Sequence, residues 1–244
     1  MKDLKTYVLE TKKISSIDDY VLEGFKLGKN KVDKEENDFV DLDLPSKTLW
    51  GKYNVGAKPG STAESWYGDY FMWGDIKYVT NKECDWKNYK WCNNNDESLS
   101  KYCYKSKTNF WDGKGNPDNK LVLDLEDDMA NANMKGDWKM PTKEQFQELI
   151  DNTTSEWLTD YNGISGLNGR LFTSKTNTNT LFIPAAGLRD YSSINSIGFN
   201  IVVWSSSLFT DNPSSAYVLS SYKYDIYTNR AYRISGCSVR GIIN

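Results

Sequence analysis

The spacing of apolar positions changes several times along the chain. In residues 1–38, Ile17, Tyr20, Val21 and Phe25 recur at helical spacing, Ser15 and Ser16 stand three residues before Asp18 and Asp19, and Gly28 follows. These are the start, stripe and stop of one short amphipathic helix. At about 12 residues such a helix is marginal alone in water, so its stripe should lie on a surface, either its own domain or another protein. The docking reading takes Ile17, Tyr20, Val21 and Phe25 as the partner-facing residues. Lys29–Asp38 has no apolar period and reads as a charged linker.

From Phe39 the period becomes two: Val40, Leu42 and Leu44 alternate with Asp41 and Asp43 until Pro45. Thr48–Val55 and Trp66–Trp73 read as further short strands, broken by Gly51, Gly56, Gly68 and Gly74. Residues 76–120 show no sustained period and read as a long loop insertion, of the kind that is usually functional or mobile. Helical spacing predicts one helix over Leu121–Met134. A second opens at Thr142, where Gln145 completes a capping box and Phe146, Leu149 and Ile150 form the buried stripe. Asn168-Gly169 signals a hairpin, and Leu181–Ala186, Val202–Ser206, Ala216–Ser220 and Ser238–Ile243 are strand candidates. The prediction is an α+β domain over 39–244 with two helices and about eight to ten strands, preceded by a short N-terminal helix and linker over 1–38.

Composition narrows the chemistry. The 244 residues contain no histidine, which removes Ser-His-Asp and Cys-His nucleophiles, histidine zinc sites and His-ligated haem. With 30 Lys+Arg against 33 Asp+Glu the net charge is −3, so no bulk cationic field draws a nucleic acid. No apolar run approaches the roughly 18 to 20 residues of a membrane span, and Met1–Ile14 lacks the apolar stretch of a secretory signal, so the expectation is a chain made and kept in a cytoplasm. Cys84, Cys92, Cys103 and Cys237 form no CxxC pair and read as free thiols before a disulfide or a metal site.

Individual motifs are mostly structural. Asp112–Asp118 has oxygen ligands at alternate positions, but Pro117 sits where a calcium loop needs glycine and Leu123 where it needs the bidentate glutamate, so it reads as a plain turn. Asn116-Pro117-Asp118 is a loose match to the triplets of calcium-dependent lectins and has no Trp-Asn-Asp partner. Glu35/Glu36 and Glu126/Asp127/Asp128 read as solvated polar runs, and Gly-rich phosphate signatures are absent. The informative stretch is Ser192–Tyr232, where 19 of 41 residues are Ser, Asn or Tyr and four are charged. Tyrosine gives contact area at low entropic cost and Ser and Asn adapt their hydrogen bonds, the composition of a paratope. An ordinary Ser/Tyr-rich β surface is the competing reading.

An ordered series of motifs then connects the chain to a family. It runs Leu44-Pro45-Ser46, Trp50, Asn54-Val55-Gly56-Ala57, Tyr67-Gly68-Asp69-Tyr70-Phe71, Trp73-Gly74, Trp138, Met140-Pro141-Thr142 and Glu148-Leu149. It continues through Phe182-Ile183-Pro184-Ala185-Ala186-Gly187, Arg189-Asp190, Trp204-Ser205-Ser206, Ala216-Tyr217, Leu219, Gly236 and Ser238-Val239-Arg240. The series resembles the Fibrobacter succinogenes major paralogous domain of gut Bacteroidetes and their phages, over about residues 40–244, with residues 1–38 and the 76–120 insertion outside it. Lys47 stands where that family often has glycine.

The resemblance implies a C-type-lectin-like fold of the formylglycine-generating-enzyme type. It also implies a ligand-binding face between the Trp-Ser-Ser strand and the terminal Ser-Val-Arg, the interval that the variable proteins of diversity-generating retroelements diversify. Carried onto this chain, the expected contacts are Phe209, Asp211, Asn212, Tyr222, Tyr224, Asp225, Tyr227 and Asn229. Only Cys237 lies near the position of the oxidase's cysteine pair, so the expectation is no enzyme, no cofactor and no metal. The implied function is a phage virion surface protein of head-fibre, decoration or tail-fibre type. It would be assembled in the bacterial host cytoplasm and docked on a capsid or other virion protein through residues 1–30, and, like other fibres, it would be a homo-oligomer. Its lectin-like domain would bind a host-surface or mucosal glycan or protein, with no nucleic acid or membrane as partner. The alternative is a bacterial cell-surface adhesin or lipoprotein domain of the same family.

Overall fold

A computed structural model describes residues 38–80, 83–112 and 114–244. The chain divides into two units, Met1–Phe39 and Val40–Asn244. The expected N-terminal helix and its residues Ile17, Tyr20, Val21 and Phe25 lie outside the described residues. No described helix is long and apolar enough to cross a membrane.

The described chain is α+β and dominated by strands. β1 (Phe39–Asp41), β2 (Leu49–Asn54) and β11 (Arg240–Ile243) form one sheet in the order β1-β2-β11. β3 (Thr153–Leu158), β4 (Gly169–Ser174) and β5 (Thr180–Pro184) form a second in sequence order, and β6 (Leu188–Asp190) pairs with β7 (Ser193–Asn195). The fourth sheet has the order β10-β9-β8, from β8 (Ile201–Leu208), β9 (Ser215–Ser221) and β10 (Ile226–Tyr232). Helices α1 (Glu64–Tyr67), α2 (Met129–Asn133) and α3 (Lys143–Asn152) complete the main elements.

β8 is buried along its whole length because both faces of its sheet are covered. Val202 and Trp204 join Val218 and Ala216 of β9 in a cluster with Phe71, Trp73, Met129 and Met140. On the opposite face, Ile201, Val203 and Leu219 pack with Trp50, Phe146, Leu149 and Ile183. This alternation is the period-two pattern of a strand buried between two layers. The capping box forms as the sequence predicts, with Gln145 N–H donating to the Thr142 hydroxyl at 3.3 Å and Thr142 N–H to Gln145 Oε1 at 2.9 Å.

Several expectations are corrected. Leu121–Met134 is not one helix: Val122 bridges to Ser207, Leu125–Asp127 is a 3-10 turn, and only Met129–Asn133 is α-helical. Asp128 sets that start by accepting from the N–H groups of Ala130 and Asn131, and its second oxygen accepts from Met140 N–H at 2.8 Å. Trp66–Trp73, expected as short strands joined by turns, holds only an isolated bridge at Phe71. It begins in α1 and turns at Gly68, where a φ of 76° and the close approach of the Val55 carbonyl leave no room for a side chain. Asn168-Gly169 is not a two-residue hairpin turn. Gly169 opens β4 and lets the Ile183 carbonyl occupy the space that a Cβ would need.

The 76–120 insertion has little regular structure but is packed rather than loose. Cys84, Tyr89, Leu99, Tyr102 and Cys103 are buried within it, and Arg233 reaches in from just beyond the end of β10. Its Nη1 donates to Lys101 O at 3.0 Å and its Nη2 to Tyr102 O, with the guanidinium carbon 4.8 Å from the centre of the Trp73 ring. Asp118, at the end of the Asp112–Asp118 turn, accepts from Tyr102 and Cys103 N–H. Its carboxylate stabilises the insertion's backbone.

Candidate ligand-binding face

β10 is the exposed edge of a sheet whose other strands are largely buried, so its side chains project from a rigid base. Register places Tyr227 opposite Ser220 and Asn229 opposite Val218, on one face of the edge, and Arg230 opposite Tyr217 on the other. Both Tyr227 and Asn229 are exposed.

The β9–β10 turn carries Tyr222, Tyr224 and Asp225. It closes through Tyr222 N–H to Asp225 O at 3.0 Å, and the buried Arg170 of β4 holds it from beneath. Arg170 Nε donates to the Ser221 hydroxyl at 2.7 Å and Nη2 to Tyr222 O at 2.8 Å. Tyr222 accepts at its hydroxyl from Asn200 Nδ2 at 3.0 Å, and Tyr224, at the tip, is 85% exposed.

Phe209, Asp211 and Asn212 lie elsewhere. They belong to the β8–β9 connection at the opposite end of the same sheet, and the length of β9 puts about 20 Å between the two ends. The eight expected contacts therefore form two groups rather than one patch. Asn212 is occupied locally, its Oδ1 accepting from the N–H and hydroxyl of Ser214, whereas Asp211 is exposed. Phe209 packs edge-on to Tyr217 at 5.1 Å between ring centres. Arg230 stands 5.3 Å over the Phe209 ring and Lys143 4.6 Å over that of Tyr217, a cation-aromatic stack.

Sequence reasoning misses three participants in that stack: Tyr217 and Arg230, which strand register pairs, and Lys143, which the start of α3 brings over the Tyr217 ring. It also misses Phe199, 73% exposed beside Asn200 and hence near Tyr222. A large apolar residue within a Ser/Asn/Tyr-rich stretch is the signal that could have found it.

Comparison with family models, with curated proteins and with solved structures gives no match.

The reactive groups elsewhere are engaged in structure. Asp124, Glu126 and Asp127 bring carboxylate oxygens within 4.8 Å of one another, the spacing of a cation site. Lys101 Nζ occupies it, at 2.9, 2.9 and 2.6 Å from the three. Burial opposes the charge on Lys101, but its hydrogen bonds to Asp127, Asp124 and Glu126 outweigh that and hold its pKa above the ordinary lysine value. Asp127 also accepts from Lys90 Nζ at 2.9 Å and the Tyr102 hydroxyl at 2.7 Å. The expectation of a solvated acidic run is thus corrected, because Asp127 and Asp128 are both buried. All four cysteines are free thiols; burial pushes Cys84 up to about 11 and Cys237 well above the usual thiol value. Neutral thiols of this kind are poor nucleophiles.

Proposed function

We propose that this chain is a non-enzymatic display protein that binds its ligand through the β9–β10 turn and the β10 edge. The observation carrying this reading is a tyrosine-rich edge and turn standing on a sheet whose inner strands β8 and β9 are buried. Such a base lets Tyr222, Tyr224 and Tyr227 present contact area with little further ordering on binding.

The finer reading rests on the family resemblance: a C-type-lectin-like domain displayed on a phage virion surface, assembled in the host cytoplasm and docked through residues 1–30. Lys47 adds support. Its φ of 60° is the left-handed conformation that glycine, frequent there in the family, adopts without strain. The ligand class is a host-surface or mucosal glycan or protein, and a homo-oligomer would raise weak single-site affinities through multivalency.

Removing residues 1–30 tests the docking claim. Particles assembled with the truncated chain should lack it, as read by mass spectrometry of purified virions, while the 40–244 unit keeps its melting transition. Undiminished incorporation would overturn the docking reading.

A further inference from the structure

A second aromatic surface lies apart from the β10 edge. β2, α1, the Tyr161–Gly163 turn and β5 enclose a cleft of about 280 Å³, lined by Tyr53, Trp66, Tyr161 and Phe182 together with Lys52, Asn162 and Thr180. Trp66 is the centre of the lining. It stands edge-on to Tyr53 at 5.6 Å and to Tyr161 at 5.8 Å, and Tyr161 stacks on Phe182 at 3.9 Å with 9° between the planes.

These walls are set in place before any ligand arrives. The Trp66 indole N–H donates to Gly60 O at 3.0 Å. The turn bearing Tyr161 and Asn162 is fixed by Asp160 Oδ1 accepting from Gly166 N–H at 2.7 Å, and by Asn168 Oδ1 accepting from Asp160 N–H at 3.2 Å. Asp160 and Asn162 both take left-handed backbone conformations, with φ of 51° and 56°. Asp and Asn take this conformation more readily than other side chains, so the turn is an ordinary tight one that its side-chain hydrogen bonds hold in place.

The chemistry of the lining selects the ligand class. Aromatic walls provide apolar area and negative ring faces, on which the polarised C–H face of a pyranose can rest. Tyr53, Tyr161, Asn162 and Thr180 supply hydroxyls and a carboxamide, the donors and acceptors that match sugar hydroxyls. Among the described residues no carboxylate lines the cleft, and its one charged residue, Lys52, with Nζ 5.8 Å from the Tyr53 ring centre, opposes a cationic guest. The volume lies just under that of sites for drug-sized ligands, which suits one or two sugar rings.

We propose that this cleft binds a neutral saccharide ring, stacked on its aromatic walls and hydrogen-bonded by Tyr53, Tyr161 and Asn162. The site is independent of the β10 edge and does not require that edge to bind anything.

The test uses the full chain and the Trp66 indole N–H resonance as reporter. Probes are the methyl glycosides of glucose, galactose, mannose and N-acetylglucosamine with their β-linked trisaccharides, and tetramethylammonium as the cationic comparison. At least one saccharide should move the resonance saturably. The Tyr53→Phe/Tyr161→Phe double variant, which removes only hydroxyls and keeps the fold, should weaken that binding roughly tenfold. Tyr224→Ala should leave it unchanged. The proposal is overturned if no saccharide moves the resonance, if only tetramethylammonium does, or if the double variant binds as well as the wild type.

Discussion

Replacing Arg233 with methionine should destabilise the protein by about 3–5 kcal/mol, because two carbonyls lose their donor at about 1–3 kcal/mol each. Arg233 is fully buried, and its guanidinium donates to the carbonyls of Lys101 and Tyr102 while covering the Trp73 ring. Methionine fills much of the volume but leaves both carbonyls unpaired, so the desolvation penalty remains without its compensation. For a domain of this size the loss corresponds to a fall in the melting midpoint of roughly 6–20 °C. Hydrogen exchange should quicken first at residues 99–104, where the insertion is tied to the core. A loss below about 1 kcal/mol in urea titrations would show that the insertion does not depend on this anchor.

Lys101→Met should cost about 2–4 kcal/mol near neutral pH, less than a fully isolated charge would, because Lys90 and Lys120 still neutralise part of the cluster. The variant leaves Asp124, Glu126 and Asp127 facing one another without the ammonium between them. The effect depends on pH in a definite direction. Asp127 is raised by burial but lowered further by hydrogen bonds from Lys101, Tyr102 and Lys90, and Asp124 is lowered by those from Lys120 and Lys101. A carboxylate whose folded pKa is depressed stabilises fully above its unfolded value of about 4 and loses that stabilisation as pH falls through the folded value. The gap between wild type and Lys101→Met should therefore narrow below about pH 4. A gap that stays constant down to about pH 2 would contradict the assignment.

Local signals are legible where one element satisfies itself. The Thr142 capping box and the approximate ends of β2, β9 and β11 follow from short-range pattern. Helical spacing misleads over Leu121–Met134 because Asp124, Asp127 and Asp128 serve distant partners, among them Lys101 and Met140 N–H, and those tertiary bonds override it. The insertion looks structureless in sequence because its order comes from Arg233 and Asp118, both remote from the segments they hold. The candidate face is legible in composition, but its division between two ends of the sheet follows from strand direction, which residue counts do not carry. The aromatic cleft is invisible for a similar reason: Tyr53, Trp66, Tyr161 and Phe182 are spread over about half of the chain and meet only when β2, α1 and β5 pack.

Binding of the ligand by the β9–β10 turn and edge is the central claim. Its most direct test is an array of mucin-type glycans, bacterial surface polysaccharides and mucin protein, probed with the full chain and with its Tyr222→Ser/Tyr224→Ser/Tyr227→Ser variant, each also in the Tyr53→Phe/Tyr161→Phe background so that the aromatic cleft does not contribute. Saturable binding by the wild type and a loss of about a hundredfold in the variant are expected, since each buried tyrosine contact of this kind contributes more than about 1 kcal/mol. Undiminished binding by a variant that retains the wild-type fold would contradict the claim.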